Sequence, residues 1–155
     1  MTTPITSFDG EHSFLSNFTY VGVHLDGVRY PSVEHAYQAA KTNIPSERYP
    51  FSSAAMTEDK RAGRDIMTSG RAKRAGRKVT LDPNFDHTKA DVMRALLQQK
   101  FANPKFGAKL DATGDAELIE GNRWGDTYWG VCNGVGQNVL GRLLMDIRAE
   151  RRRLT

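Results

Sequence analysis

Glu34, Gln38 and Lys41 place a carboxylate, an amide and an amine along one predicted helix. Their spacing of four and three residues puts the three side chains on one face. Glu34 and Lys41 lie about 10 Å apart along the axis, too far to pair directly. A carboxylate exchanges protons and a neutral amine attacks electrophilic carbon, so a ligand bound between them would meet both chemistries. The alternative is the solvated face of an ordinary amphipathic helix.

Two further polar residues stand between aromatic residues. Asn17 lies between Phe14 and Phe18, and Asp126 lies between Trp124 and Trp129. Aromatic rings stack on flat ligand faces, and a dry setting raises the pKa of a carboxyl group towards acid catalysis. These loops therefore suit recognition of a base or a sugar.

Arg64 follows Gly63 within a predicted helix and is a candidate clamp for a phosphate; an ordinary surface arginine is the alternative. Gly134-Val135-Gly136 precedes the last predicted helix, so its backbone amides would present an anion site there, or else a flexible loop. The surroundings of Cys132 contain no cation that would form a thiolate, which favours a structural cysteine.

The chain has 155 residues, a net charge of +4 and a pI near 9.3, and we expect one domain over residues 1–155. Basic residues are concentrated in 71–78 and in 148–153, the latter within the basic end of a C-terminal helix over 146–155. Such clusters suit phosphate or nucleic acid, although cations in a last helical turn are the simpler explanation.

One cysteine, no export signal and no long apolar run predict a cytoplasmic protein without a disulfide framework or contact with a membrane. The four histidines lack metal-ligand spacing, and no zinc or calcium motif occurs, so neither a metal nor a cofactor is expected. The oligomeric state is left open.

The elements that position these residues are mostly helical. Asp26-Gly27 between alternating runs predicts a hairpin that leads into a helix opened by Pro31 and Ser32. Further helices are predicted over 57–67, from a capping box at Thr88 and Asp91 to Phe101, and from Asn138 onwards. Short strands are predicted over 117–120 and 128–131. The fold class is therefore mainly α, an α+β chain with a few short strands.

Several motifs together resemble the YbiA-like or NADAR family. They occur in the family's order and span residues 14–148: Phe14-Leu15-Ser16-Asn17-Phe18, Ser32-Val33-Glu34-His35-Ala36-Tyr37-Gln38-Ala39-Ala40-Lys41, Trp129-Gly130, and Gly136-Gln137-Asn138-Val139-Leu140-Gly141-Arg142-Leu143-Leu144-Met145 with Arg148. One departure is Phe85-Asp86-His87, which stands where the family has a tryptophan and would fit a different base.

The resemblance implies a single compact, mainly helical domain that hydrolyses N-glycosidic bonds of ribose. The implied substrates are ADP-ribosylated guanine, in nucleic acid or as a nucleotide, or a phosphoribosylamino-pyrimidine of riboflavin biosynthesis. Lys41 would be the catalytic amine, Glu34 would transfer protons, and Asn17 would hold the ribose. The pocket would be shaped by Trp129, Gly130, Asn138 and Gly141, and Phe18, Tyr37 and Trp124 are further predicted substrate contacts.

The predicted mechanism is a Schiff base on neutral Lys41, with its pKa lowered by burial near Arg64 and apolar residues. Asp126 is the predicted second carboxylate, and Arg64 with the amides before Asn138 would hold phosphates. Two other classes stay open, a non-catalytic module that binds ADP-ribose or NAD, and a nucleic-acid-binding protein without catalysis.

Overall fold

The computed structural model describes residues 2–154, and helices account for most of their regular structure. Two units can be distinguished, Asn17–Lys100 on the one hand and residues 2–16 with 101–154 on the other. The predicted fold class is confirmed: the chain is mainly α, with a few short strands and an N-terminal hairpin. Within residues 2–154, no helix combines the length and the apolar character needed to cross a membrane.

The first unit opens with the predicted hairpin. Strand β1 (Tyr20–Leu25) pairs antiparallel with β2 (Val28–Ser32), and Leu25 stands opposite Val28. The two turn residues, Asp26 and Gly27, have φ values of 50° and 80°. A two-residue turn with both φ angles positive matches the twist of the flanking strands, which is why the Asp-Gly pair predicts it correctly.

Helix α1 (Val33–Ala39) follows β2 without a connecting loop. The Ser32 hydroxyl oxygen accepts the His35 backbone N–H at 3.2 Å and caps the helix, as predicted. Pro31 lies in β2 rather than in the first turn of the helix. Every residue of α1 is buried, so the helix is the centre of its unit.

The segment after α1 contains α2 (Pro45–Arg48), a 3-10 turn (Tyr49–Phe51) and α3 (Ser53–Arg61). The helix predicted over 57–67 is therefore wrong at both ends. The Ser52 hydroxyl oxygen accepts the Ala55 N–H and starts the helix earlier. Gly63, with a φ of 70°, adopts the left-handed conformation that ends it before Arg64.

Part of the basic stretch lies in helix α4 (Ser69–Ala75), which was not predicted. The longest helix, α5 (Phe85–Ala102), starts three residues before the predicted capping box at Thr88 and Asp91, so that box is wrong. Thr88 lies inside the first turn and donates to the Asn84 carbonyl. The predicted end before Asn103-Pro104 is confirmed, and the last two residues of α5 belong to the other unit.

The second unit contains a 3-10 helix (Gly10–Leu15), α6 (Pro104–Ala112), β3 (Gly121–Asn122), β4 (Val131–Cys132) and α7 (Val139–Arg153). Strands β3 and β4 pair in parallel and lie closer to the C-terminus than predicted. The start of the last helix after Asn138 is confirmed.

The basic end of α7 is paired with acidic residues. Arg151 binds Asp111 through two hydrogen bonds of 2.9 Å, and Arg152 binds Asp115 at 2.8 Å. The Arg148 guanidinium donates to the Thr113 hydroxyl at 2.8 Å. These arginines anchor the last helix within its unit. This agrees with the simpler explanation of the basic tail, that its cations belong to the end of a helix.

Candidate active site

The polar stripe of α1 is buried. Glu34 is 7% exposed and Gln38 4%, and Gln38 Nε2 donates to Glu34 Oε1 at 2.7 Å. Lys41 follows the helix and is half-buried. The alternative of a solvated helix face is therefore wrong for the carboxylate and the amide. A buried carboxylate needs hydrogen-bond partners, and Gln38 supplies one of them.

Asn17 lies beside the start of the same helix. Its backbone carbonyl accepts the Glu34 N–H at 3.1 Å, and its side-chain Nδ2 donates to Met93 Sδ at 3.6 Å. Its Oδ1 is buried and has no donor partner within residues 2–154. Buried acceptors are nearly always satisfied in folded proteins, so an unsatisfied one next to Glu34 fits a ligand hydroxyl or amine.

Lys41 has the electrostatic setting of a nucleophilic amine. Burial lowers its pKa, the Glu34 carboxylate opposes that shift, and the cations Arg77, Lys73 and Lys89 lower the pKa further. The direction is the one predicted, but Arg64 is not among the groups that cause it. A lower pKa increases the neutral fraction of the amine near pH 7.

The amine also has an aromatic neighbour. Lys41 Nζ lies 5.7 Å from the centre of the Tyr37 ring, and that ring packs on Phe85 with 5.4 Å between centres. Phe85, where the resemblance leads us to expect a tryptophan, is only 5% exposed. It is therefore a core residue that supports Tyr37, and its face is covered by packing.

The remaining predicted contacts of this unit are Phe18 and Arg64. The Phe18 ring is 41% exposed, and its carbonyl accepts the Ser69 hydroxyl at 2.8 Å. Arg64 makes a surface ion pair with Asp59 at 2.9 Å, and its side chain is 62% exposed. This arrangement is the surface arginine that the sequence left as the alternative, and a phosphate contact there stays a prediction.

In the second unit, Asp126 holds a loop together. Its Oδ1 accepts the backbone N–H groups of Tyr128 and Trp129 at 3.1 and 2.9 Å. Asn122 completes the loop, since its Nδ2 donates to the Asp126 carbonyl and its Oδ1 accepts the Asp126 N–H. Sequence reasoning missed Asn122, whose role depends on the loop closing back on itself.

Gly130 and Asn138 shape the backbone of the same unit. Asn138 Nδ2 donates to the Leu118 carbonyl at 2.9 Å, and its Oδ1 accepts the Glu120 N–H at 3.0 Å. A Cβ atom on Gly130 would lie 2.1 Å from the Glu120 carbonyl oxygen, so only glycine fits there. Gly141 is equally restricted, because its Cβ would lie 2.1 Å from the Leu118 carbonyl oxygen.

The two tryptophans of this loop region differ in their surroundings. Trp124 is 62% exposed. Trp129 packs edge-on against Tyr128, with 4.9 Å between ring centres. Whether either stacks on a substrate stays a prediction.

The unit Asn17–Lys100 thus brings Asn17, Glu34, Tyr37 and Lys41 around helix α1, while Arg64 pairs elsewhere on its surface. The second unit holds Trp124, Asp126, Trp129, Gly130 and Asn138. Three cations near Lys41 were missed, since their approach depends on the packing of α4 and α5. Within residues 2–154, no group of three or more metal-ligating side chains is assembled.

Comparison with known proteins decides the family. The NADAR domain model matches residues 6–152. The chain belongs to the NADAR domain family.

Among the relatives of this NADAR domain, N-glycosidase YbiA of Escherichia coli (strain K12) is 34% identical over 146 residues, which cover 93% of this chain and 84% of that protein. Riboflavin biosynthesis protein VVA0006 of Vibrio vulnificus (strain YJ016) is 33% identical over 144 residues. That match covers 92% of this chain but spans only 36% of the Vibrio protein.

The NMR structure of the E. coli protein YbiA matches the fold with a TM-score of 0.76 and 31% identity, covering 98% of this chain and 87% of that one. The predicted family and the predicted enzyme class, a hydrolase of N-glycosyl compounds, are confirmed by the N-glycosidases among these relatives.

Proposed function

We propose that this NADAR domain removes ADP-ribose from guanine by hydrolysing the N-glycosidic bond, with Lys41 as the nucleophile. The observation that carries the proposal is a buried carboxylate, Glu34, within electrostatic reach of a half-buried amine, Lys41, whose pKa is lowered. Because the family model spans 6–152, we also propose that residues 1–155 act as a single domain.

The proposed reaction follows from these two groups. Neutral Lys41 Nζ attacks C1 of the ribose, the bond from C1 to the base nitrogen breaks, and the base leaves with a proton. Loss of a proton from the amine and opening of the ring give an imine. Water then adds to the imine, which returns the sugar aldehyde and the free amine. Glu34 transfers the protons at each stage.

The charges around Lys41 support a phosphorylated substrate. Lys73 and Arg77 lie one turn apart on α4 and the turn after it, and Lys89 lies one turn beyond Phe85 on α5. Arg77 is exposed and makes no side-chain hydrogen bond or ion pair within residues 2–154. The diphosphate of ADP-ribose is attached to the exocyclic C5 of the same ribose whose C1 would react. Cations around the amine therefore suit the diphosphate of ADP-ribose.

A second substrate has its own support. The Vibrio relative and a Zea mays relative, Riboflavin biosynthesis protein PYRR, chloroplastic, are named for riboflavin biosynthesis. A phosphoribosylamino-pyrimidine carries the same N-riboside bond and a 5-phosphate, so the same residues would act on it. The non-catalytic ADP-ribose module is less well supported, since binding alone does not require an amine of lowered pKa.

The test compares the two substrates on the purified protein. An oligonucleotide carrying ADP-ribosyl guanine and a phosphoribosylamino-pyrimidine are assayed side by side, and mass spectrometry follows release of ADP-ribose from the first and of the pyrimidine from the second. We expect faster cleavage of the guanine substrate, and faster cleavage of the other compound would make the phosphoribosylamino-pyrimidine the proposed substrate. Binding of ADP-ribose without cleavage of either compound would contradict the enzyme and support the binding module.

Two variants connect the activity to the site. Lys41→Met should abolish turnover, and Glu34→Gln should lower it by about 10² to 10⁴-fold, the usual contribution of a proton-transferring group. Lys60→Met, which removes an exposed amine on α3, is the matched control and should retain full activity.

A further inference from the structure

The turn after α4 makes an unusually close contact with α1. A Cβ atom on Gly76 would lie 1.8 Å from Gln38 Oε1 and 2.6 Å from Gln38 Cδ. Gly76 has ordinary right-handed helical angles, φ −60° and ψ −20°, which every residue adopts easily. Glycine at this position leaves room for the Gln38 amide, and an alanine side chain there would displace that amide.

The orientation of the Gln38 amide follows from its partner. An ionised carboxylate only accepts hydrogen bonds, so the group that faces Glu34 Oε1 at 2.7 Å is the Nε2 donor. The amide oxygen consequently points towards Gly76, where it is buried and has no donor within residues 2–154. An acceptor left unsatisfied in this way is unfavourable. The useful contact of the buried amide is thus the one to Glu34.

We propose that Gln38 and Gly76 are positioning residues for the Glu34 carboxylate. The bare backbone of Gly76 confines the Gln38 amide, and Gln38 Nε2 fixes one carboxylate oxygen in the orientation needed for proton transfer. The inference rests on the proposed function, which assigns proton transfer to Glu34, and it adds two residues that do not touch the substrate. A carboxylate free to rotate would transfer protons less efficiently, because catalysis depends on fixed geometry.

Two alanine substitutions test the proposal. Gly76→Ala forces the Gln38 amide aside, and kcat should fall by on the order of 10- to 100-fold, as small displacements of catalytic groups do. KM should change little, since neither residue contacts the substrate. Gly70→Ala is the matched control on α4, because its Cβ would meet only Arg74 Nη1, at 4.0 Å. Alanine favours a helix at both positions, so circular dichroism should show both variants folded.

A double-mutant cycle separates positioning from general damage. In the Gln38→Ala background the amide is gone, so adding Gly76→Ala should have no further effect on kcat. Multiplicative losses would overturn the proposal, because they would mean that Gly76 acts without Gln38. If Gly76→Ala fails to fold, Gln38→Met is the deciding variant: it should lower kcat with KM nearly unchanged, because the Glu34 carboxylate loses the donor that fixes its orientation. An unchanged kcat in Gln38→Met would overturn the proposal.

Failure of the proposed function would look different. If Glu34→Gln retained full activity, Glu34 would have no part in catalysis and the proposed function would fail first. If Glu34→Gln were inactive while Gly76→Ala and Gln38→Met matched the unmodified protein in kcat, only the positioning proposal would be overturned.

Discussion

The amine of Lys41 lies 5.7 Å from the centre of the Tyr37 ring, and Tyr37 in turn rests on Phe85. This series of contacts links the proposed nucleophile to the first residue of α5. It explains how a lysine beyond the last residue of α1 is positioned without a direct ion pair to Glu34. The first prediction concerns the support that Phe85 gives to Tyr37.

Phe85→Ala should lower the free energy of unfolding by about 3–5 kcal/mol, because it removes a buried aromatic ring. It should also lower activity, since Tyr37 loses its support below Lys41. Urea denaturation and initial rates measure the two effects. Leu81→Ala removes an exposed apolar side chain nearby in sequence, so the free energy of unfolding and the initial rate should both change little. Full activity in Phe85→Ala would show that the Tyr37 ring does not need this contact.

Arg77→Gln should raise the pKa of Lys41, because Arg77 is one of the cations that lower it. The amine would then become neutral at a higher pH, so the rise of kcat/KM with pH should move in the alkaline direction and the rate at pH 7 should fall. The pH–rate profile measures the shift. Arg61→Gln removes an exposed cation that does not shift Lys41 and should leave the profile in place. Identical profiles for the two variants would refute the electrostatic account.

Asp126→Asn and Asp126→Ala separate a catalytic carboxylate from a loop cap. Asparagine retains an oxygen that accepts the N–H groups of Tyr128 and Trp129, whereas alanine removes it. If Asp126 is the second carboxylate, Asp126→Asn should fold normally and lose activity. Alanine should also destabilise the protein, by about 1 kcal/mol for each lost hydrogen bond. Retained turnover in Asp126→Asn, with destabilisation in Asp126→Ala, would show that Asp126 stabilises the loop and takes no part in catalysis.

His35 predicts a pH dependence of stability that is independent of catalysis. Burial lowers its pKa below the ordinary value of 6.5, and the hydrogen bond to the Met67 carbonyl partly opposes that shift. Below about pH 6.5 the unfolded chain binds a proton that the folded protein does not, so stability present above this pH is lost as the pH falls.

The measurement is the free energy of unfolding in urea at several pH values between 5 and 8. His35→Gln should flatten the slope below pH 6.5, whereas His87→Gln, at an exposed position, should keep it. If the free energy of unfolding of His35→Gln still fell with pH as in the unmodified protein, groups other than His35 would cause the pH dependence.

The sequence predicted the parts of the fold that local signals determine. Asp26-Gly27 gives the hairpin turn and Ser32 gives the helix start, because each depends on the residue's own backbone or side-chain chemistry. Helix α4 has a similar start signal in Thr68, whose hydroxyl oxygen accepts the Arg71 N–H, but it was not predicted because its buried residues, Ser69 and Ala72, form no periodic apolar stripe. Gly63 was placed inside a helix that it ends, because a glycine fits either position by type alone.

The site was predictable to a similar degree. The spacing of Glu34, Gln38 and Lys41 gave the shared stripe, but not the burial that makes it chemically distinctive. The approach of Arg77 to Lys41 and the contact of Gly76 with Gln38 join residues nearly 40 positions apart. Pairings of that kind arise from tertiary packing and leave no local pattern in the sequence.

The central claim is that Lys41 attacks the ribose, and trapping of the imine tests it most directly. The protein is incubated with an oligonucleotide carrying ADP-ribosyl guanine in the presence of borohydride, and its intact mass and peptides are recorded. The account predicts a reduced ADP-ribose adduct on Lys41, absent from Lys41→Met and present in Lys60→Met. Release of ADP-ribose without any adduct on the protein would contradict the claim, and so would full activity in Lys41→Met.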